Sequence, residues 1–158
     1  MDLTFKTNEG IFNCRVCAVF LHKGRLLAMR DQRSPYYYLP GGRVRLQETM
    51  ENAVLREVKE ELSIDAKIVR PLWLNQGFFT EDVSGENYHE LCLYFLMDAS
   101  ETDLYERGET FSRQENGKTL VFHWLPLESL KKQYLYPVFI KEKIMKLPDQ
   151  LTLQAEFE

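Results

Sequence analysis

The stretch Gly42-Arg43-Val44-Arg45-Leu46-Gln47-Glu48-Thr49-Met50-Glu51-Asn52-Ala53-Val54-Leu55-Arg56-Glu57-Val58-Lys59-Glu60-Glu61-Leu62-Ser63-Ile64 decides how the chain folds. Within it Met50, Val54, Val58 and Leu62 recur every four residues, with Ala53 and Leu55 beside them. That is the apolar stripe of an amphipathic helix, not the alternation of a strand. Thr49 stands where a side-chain oxygen can cap the first turn, and Glu51 where the helix dipole favours an anion. A helix is expected from Thr49 to Leu62.

On that helix Glu57, Glu60 and Glu61 stand at i, i+3 and i+4. They fall within one arc of about 100°, beside the apolar stripe. Like charges so placed repel by roughly 0.2–0.5 kcal/mol per pair on an isolated helix, and more once partly buried. Lys59 intervenes in sequence but projects from another side. Two or three carboxylates on one rigid face make a hard oxygen-donor site suited to Mg²⁺ or Mn²⁺. A solvated acidic face is the other reading that helix spacing allows.

Outward from the helix the pattern is that of strands. Phe12 to Phe20 is rich in Val, Cys and Phe, and His22-Lys23-Gly24 signals a turn with Arg25 to Arg30 as the returning arm of a hairpin. Tyr36 to Leu39 reads as a short aromatic strand closed by Pro40-Gly41-Gly42. After the helix, Ala66 to Phe79, Glu90 to Met97 and Thr119 to Leu125 read as strands, and Ser100 to Lys118 as a long polar loop. Pro126 begins a short helix, and Pro137 to Leu147 reads as a final amphipathic one. Strands, a helix, more strands and a terminal helix indicate a mixed sheet packed by helices, an α/β (α+β) fold.

With 158 residues, 44% of them hydrophobic and 28% charged, the chain is long enough for one domain over 1–158 with a sizeable core. Twenty basic against 24 acidic side chains give a net charge of -4. A protein that coats a nucleic-acid polymer is strongly basic, so that class is excluded, whereas small anionic substrates stay open if a cation mediates. No apolar run approaches the ~18 residues of a membrane span, and the first residues do not resemble a secretory leader. Three cysteines argue against a disulfide framework, and a reducing cytoplasmic setting is expected.

The spacing from Gly42 narrows the reading further. Five residues lead to Glu48, seven more to Arg56, and then come Arg56-Glu57-Val58-Lys59-Glu60-Glu61-Leu62-Ser63-Ile64. This resembles the signature of the Nudix hydrolases and departs from it once, at Ser63, where that family has Gly. The resemblance implies a Nudix-like α/β/α sandwich with a mixed β-sheet. It also implies divalent-metal-dependent hydrolysis of a nucleoside diphosphate linked to another moiety, with water attacking phosphorus. Carried over by position, Glu57, Glu60 and Glu61 would be metal ligands or base, with Gly41 a further ligand through its carbonyl. Arg56 would orient a glutamate, and Glu48 would support the loop-helix junction. A homodimer is compatible with the family. The rival reading is a Nudix-fold regulatory domain that binds a nucleotide without turnover, although such a sensor need not keep three repelling carboxylates. A prenyl diphosphate isomerase on the same fold would need a cysteine and glutamate pair that nothing singles out.

A left-handed turn residue usually follows such a helix, so Ser63 is expected to cost on the order of 1 kcal/mol there, without touching the acidic set. Several Nudix enzymes take their base from a loop outside the box. Glu101, Glu106, Glu109 and Glu115 in the polar loop and Glu90 at a strand start are the pool, with Glu115 and Glu90 favoured. Arg30, Arg33 and Tyr38 are further substrate-side candidates, the arginines for phosphate and the tyrosine, among the aromatics around the box, for stacking on a base. Cys14 and Cys17 have redox or zinc spacing, but three residues apart in a strand they face opposite sides, and buried structural thiols are expected.

Overall fold

The computed structural model describes residues 1–158. Ten strands form: β1 (Thr4–Lys6), β2 (Ile11–Val19), β3 (Leu21–His22), β4 (Arg25–Arg30), β5 (Gly41–Arg43), β6 (Lys67–Thr80), β7 (Asn87–Asp98), β8 (Thr110–Glu115), β9 (Lys118–Pro126) and β10 (Thr152–Phe157). Helix α1 (Met50–Leu62) follows β5, and a single turn, α2 (Ile140–Lys143), precedes β10. The larger sheet runs β1-β2-β7-β6-β10, with β5 also paired to β2, and the smaller runs β3-β4-β9-β8. β2 pairs in parallel with β7 and β10 with β6, while β6 and β7 are antiparallel. The sheet is therefore mixed, and the fold is of the mixed α+β type.

Strand β2 shows why helices cover both faces. Val16 and Ala18 join the core that contains Ala53, Val54, Val58 and Leu62 of α1. Cys17 and Val19, pointing the other way, join a second core with Leu130, Phe139, Ile140 and Ile144. A strand buried on both sides loses its polar alternation, and this is why β2 reads as mainly apolar, with Asn13 and Arg15 the exceptions. Helix α1 matches its expected bounds, and Thr49 Oγ1 accepts from Asn52 N at 3.1 Å as its cap.

Four expectations need correction. The Phe12 to Phe20 segment and Arg25 to Arg30 are not arms of one hairpin. Leu21 and His22 pair with Arg25 and Leu26 around Lys23 and Gly24, both at positive φ, so the tight turn is local and β2 belongs to the other sheet. The Ser100 to Lys118 loop contains β8, an edge strand paired along β9. Its residues are polar because only one face meets the protein, where Phe111 stacks on Phe122 at 5.0 Å. The terminal helix shrinks to α2 because only the cluster Phe139, Ile140 and Ile144 is buried in the core, while Val138 and Met145 stay exposed. The chain then closes on β10, whose pairing with β6 spans Thr152 to Phe157. The Tyr36 to Leu39 strand survives only as isolated bridges, Tyr38 to Met29 and Tyr37 to Leu135. Cys14 and Cys17 do face apart as expected, and Cys17 instead meets Cys92 across β2 and β7, Sγ to Sγ 3.5 Å.

Helix α1 ends at Ser63, which takes the left-handed conformation at φ 58° and donates its N–H to Lys59 O at 2.9 Å. Arg107 completes this end: its Nη1 donates to Leu62 O at 2.7 Å while Asp103 binds the same guanidinium. A cation there complements the negative end of the helix dipole. Relief of the left-handed penalty, less the extra chain entropy of glycine, predicts that Ser63→Gly raises stability by about 0.5–1 kcal/mol. Urea unfolding of the two proteins checks it, and equal or lower stability in the variant would show that Ser63 is not strained.

Candidate active site

The loop before α1 lies flat on β2 because two positions carry no side chain. A Cβ at Gly41 would sit 2.1 Å from Val16 O, and one at Gly42 would sit 2.3–2.6 Å from the carboxylate atoms of Glu57. This close approach brings the acidic face of α1 onto the loop backbone. Glu61 is only 7% exposed, and its Oε1 accepts from Gly41 N at 2.8 Å.

Arg56 holds the surrounding carboxylates. Its Nε and Nη2 bind both oxygens of Glu48 at 2.7 and 2.8 Å, and its Nη1 donates to Glu57 Oε1 at 2.7 Å. Nη2 also donates to Arg43 O at 3.1 Å, which ties the helix to the end of β5. Such a fork-to-carboxylate pairing fixes direction as well as distance. Glu48 accepts in addition from Arg45 N at 3.0 Å, so it pins the loop-helix junction. Glu60 is the most open of the set, 3.6 Å from Arg56 Nη1 and 3.9 Å from Arg45 Nη2.

These surroundings split the carboxylates into two kinds. The hydrogen bonds from Arg56 pull Glu48 down to about 2. Burial pushes Glu57 up despite Arg56, and burial followed by the charge of Glu57 pushes Glu61 well above the usual carboxylate range. Glu57 and Glu61 thus repel one another in a poorly solvated place, whereas Glu48 is fully compensated. No three His, Cys, Asp or Glu side chains are drawn together tightly enough to form a ready ligand cluster. Glu57 turns to Arg56, Glu61 to Gly41 N, and Glu60 outward. Gly41 meets the acidic helix through its N–H.

A cleft starts at Gly42 and runs over the face of the larger sheet that is turned away from α1. Its part nearest the helix is lined by Asn13, Arg15, Gly42, Arg43, Tyr88 and Glu90 among others, and its floor continues past Arg15, Glu90, Tyr36 and Phe79 into a pocket of about 260 Å³. Glu90 lies in both parts, 3.9 Å from Arg15 Nη1, and accepts from Asn13 Nδ2 at 3.4 Å. Tyr38 lines the pocket and donates to Asp31 at 3.2 Å.

Arg33 does not join this cleft. It is exposed in the turn after β4, where its N–H donates to Asp31 Oδ1, and Arg30 lies 4.9 Å from the ring of Tyr37 instead of facing phosphate. Of the cations that line the cleft, Arg15 is the one present in both of its parts, and sequence reading passed over it. It sits in an apolar run, between Cys14 and Val16, and a charged residue in a strand buried on both sides is the signal that could have found it. Of the four loop glutamates, Glu101 pairs with Lys67 and Glu109 with Arg25. Glu115, at the end of β8, is near enough for its charge to raise Glu61.

Glu48 is depressed in the folded protein, so it stabilises the fold above its unfolded value of about 4.3 and loses that contribution as pH falls toward 2. Glu48→Gln should therefore flatten the pH dependence of unfolding between about pH 4.3 and 2 and lower stability at pH 7. Chemical denaturation at a series of pH values reads both effects. An unchanged acid limb would show that the Arg56–Glu48 fork carries no stability.

A search of the curated proteins found no match. Among solved structures, a MutT protein from Bacillus halodurans superimposes with a TM-score of 0.61 at 12% identity, over 92% of this chain and 89% of that one. A Nudix hydrolase from Nitrosomonas europaea gives 0.59 at 15% identity, over 97% and 82%. An ADP-ribose pyrophosphatase from Streptococcus suis gives 0.57 at 15% identity, over 91% and 98%. At such identities the likeness is one of fold. Residues 13–146, which include the whole Gly42 to Ile64 signature, match the family model described as the NUDIX domain. The chain belongs to the Nudix hydrolase family.

Proposed function

We propose that this Nudix pyrophosphohydrolase cleaves, with a divalent cation, the P–O–P bond of a nucleoside diphosphate linked to another moiety, residues 1–158 acting as one domain. The observation that carries the reading is the crowding of Glu57 and buried Glu61 against the Gly41-Gly42 backbone at the mouth of the cleft. Their mutual repulsion is only partly offset in the protein alone, by Arg56 at Glu57 and Gly41 N at Glu61, and a hard dication would offset the rest. The donor set fits Mg²⁺ or Mn²⁺: it offers carboxylate oxygens without thiolate or imidazole. Glu57, Glu60 and Glu61 would hold the ion. When bound, such an ion neutralises phosphoryl oxygens and acidifies water, the two difficulties of attacking an anionic phosphorus centre.

The chain's own groups do the rest. Arg56 orients Glu57 and Glu48. Arg15, facing the cleft beyond Gly42, offers a guanidinium to phosphate oxygens. Glu115 is the better-placed proton acceptor, since its charge is felt at Glu61, whereas Glu90 is engaged with Arg15 and Asn13. The excess of acid elsewhere on the chain argues for a small substrate and not a nucleic-acid polymer. No helix is long and apolar enough to cross a membrane, and the three free cysteines are compatible with a reducing cytoplasm. A homodimer stays part of the reading.

Glu61→Gln should reduce turnover on a panel of nucleoside diphosphate derivatives by roughly 10²–10³, the size of effect seen when a transition-state electrostatic contact is lost. The same substitution should raise the melting temperature of the metal-free protein, because it removes a buried, repelled charge. Steady-state kinetics at saturating Mg²⁺ and thermal unfolding in chelator measure the two. Undiminished turnover in this variant would falsify the assignment, and silence of the parent protein across the panel would favour the sensor reading.

A further inference from the structure

Strand β10 leaves one side of the larger sheet open. It is the last strand of that sheet and pairs with β6 alone. Glu158 N donates to Phe78 O at 2.8 Å, so even-numbered residues turn their backbone groups toward β6. Alternation along the strand then directs the N–H and C=O of Leu153, Ala155 and Phe157 away from the sheet. Such an edge is a template for a further strand.

The other long edges of the molecule are blunted and this one is not. β1 has three residues, Lys6 among them, and β8 carries Arg113. β10 runs Thr152-Leu153-Gln154-Ala155-Glu156-Phe157, with no Lys, Arg, Pro or Gly to discourage pairing. Leu153 is 71% and Phe157 78% exposed. Phe157 is nevertheless held in position, stacked on Phe78 at 4.7 Å, and Phe78 packs on His89 at 4.5 Å. Fixed apolar groups beside outward-facing backbone groups lose little freedom when a partner strand covers them.

The order of side chains along β10 selects that partner. Two copies related by a two-fold axis pair antiparallel, and residues opposite one another share a face. With the axis at Ala155, Leu153 lies opposite the partner's Phe157, Gln154 opposite the partner's Glu156, and Thr152 opposite the partner's Glu158. Apolar groups then meet apolar groups, and each carboxylate meets an amide or a hydroxyl. Leu153, Ala155 and Phe157, whose backbone groups point outward, are also the residues that exchange hydrogen bonds in this register. An axis at Glu156 instead sets that carboxylate against its own copy, and like charges directly opposite are destabilising. An axis at Gln154 sets Leu153 against Ala155 and Phe157 against Leu151, which lies before the strand.

We propose that β10 joins two copies of this chain, antiparallel about Ala155, so that the larger sheet continues from one copy into the next. This names the surface for the homodimer in the functional reading and does not depend on turnover. A single strand pair is at the small end of interface sizes, so a dissociation constant of about 10–100 µM is expected.

Sedimentation velocity without metal or nucleotide, from about 1 to 500 µM chain, tests the assembly across that range. The parent protein should pass reversibly from one copy to two. The double variant Leu153→Lys with Phe157→Lys sets lysine opposite lysine and should sediment as single copies throughout. The double variant Leu153→Lys with Phe157→Glu sets lysine opposite glutamate only in the register centred on Ala155, and should dimerise again. Both positions are exposed, and thermal unfolding by circular dichroism confirms that each variant is folded. A parent that stays a single copy overturns the proposal, as does a dimer that the lysine pair leaves intact. That second result shows that any dimer forms elsewhere, whereas capture of a different protein by a single-copy parent assigns the edge to a foreign strand. Failure of the lysine–glutamate variant to dimerise overturns the register. None of these results bears on hydrolysis, which is read separately with Mg²⁺ and nucleotide.

Discussion

The absence of side chains at Gly41 and Gly42 is the constraint on which the site depends. With no Cβ at either position, the loop can lie against β2 on one side and receive the Glu57 carboxylate on the other. A methyl at Gly42 would drive Glu57 out of its contact with Arg56, and Glu61 would lose the backbone N–H that holds it. Protein interiors are packed too densely to absorb such a displacement elsewhere. Burial and repulsion at Glu57 and Glu61 follow from this close approach. The compensated pair, Arg56 with Glu48, stabilises the same junction from its exposed side.

Two cores on opposite faces of one sheet give the site its shape. Helix α1 seals one face with Val54, Val58 and Leu62. The other face is covered only in part by the second core, and where it is left open Arg15, Asn75 and Glu90 of the inner strands line the cleft. Strand alternation makes this division possible: odd positions of β2 carry Arg15 to the cleft and Cys17 to the core beside it, while even positions serve α1. The glycines of β5 connect the two sides, since Gly41 pairs with Cys17 and touches Glu61.

The box and its helix were legible in the sequence because their determinants are local. A four-residue apolar period, a Thr49 cap and fixed gaps between charges all act within a few turns of chain. The expected left-handed Ser63 was legible for the same reason. Strand β8 was not, since Ser112 to Glu115 have no apolar alternation and owe their conformation to pairing with β9. Strand β10 was overlooked although Leu153, Ala155 and Phe157 do alternate with Gln154 and Glu156. The Pro137 to Leu147 stripe suggested a longer helix than the core could cover, since burial of Phe139, Ile140 and Ile144 alone supports little more than a turn.

The sequence by itself determined the fold class, the acidic helix and the chemistry that its carboxylates invite, because charge, period and spacing are properties of a chain segment. Tertiary structure alone decided that Arg15 faces the cleft while Arg33 does not, that Glu115 among the loop glutamates comes near Glu61, and that Asn75 is buried without a partner. Those facts join residues far apart along the chain through the register of β2 with β7, β6 with β10 and β8 with β9. A one-residue slip in any of these registers would turn every side chain of that strand to the opposite face, and nothing within a single segment sets such a register.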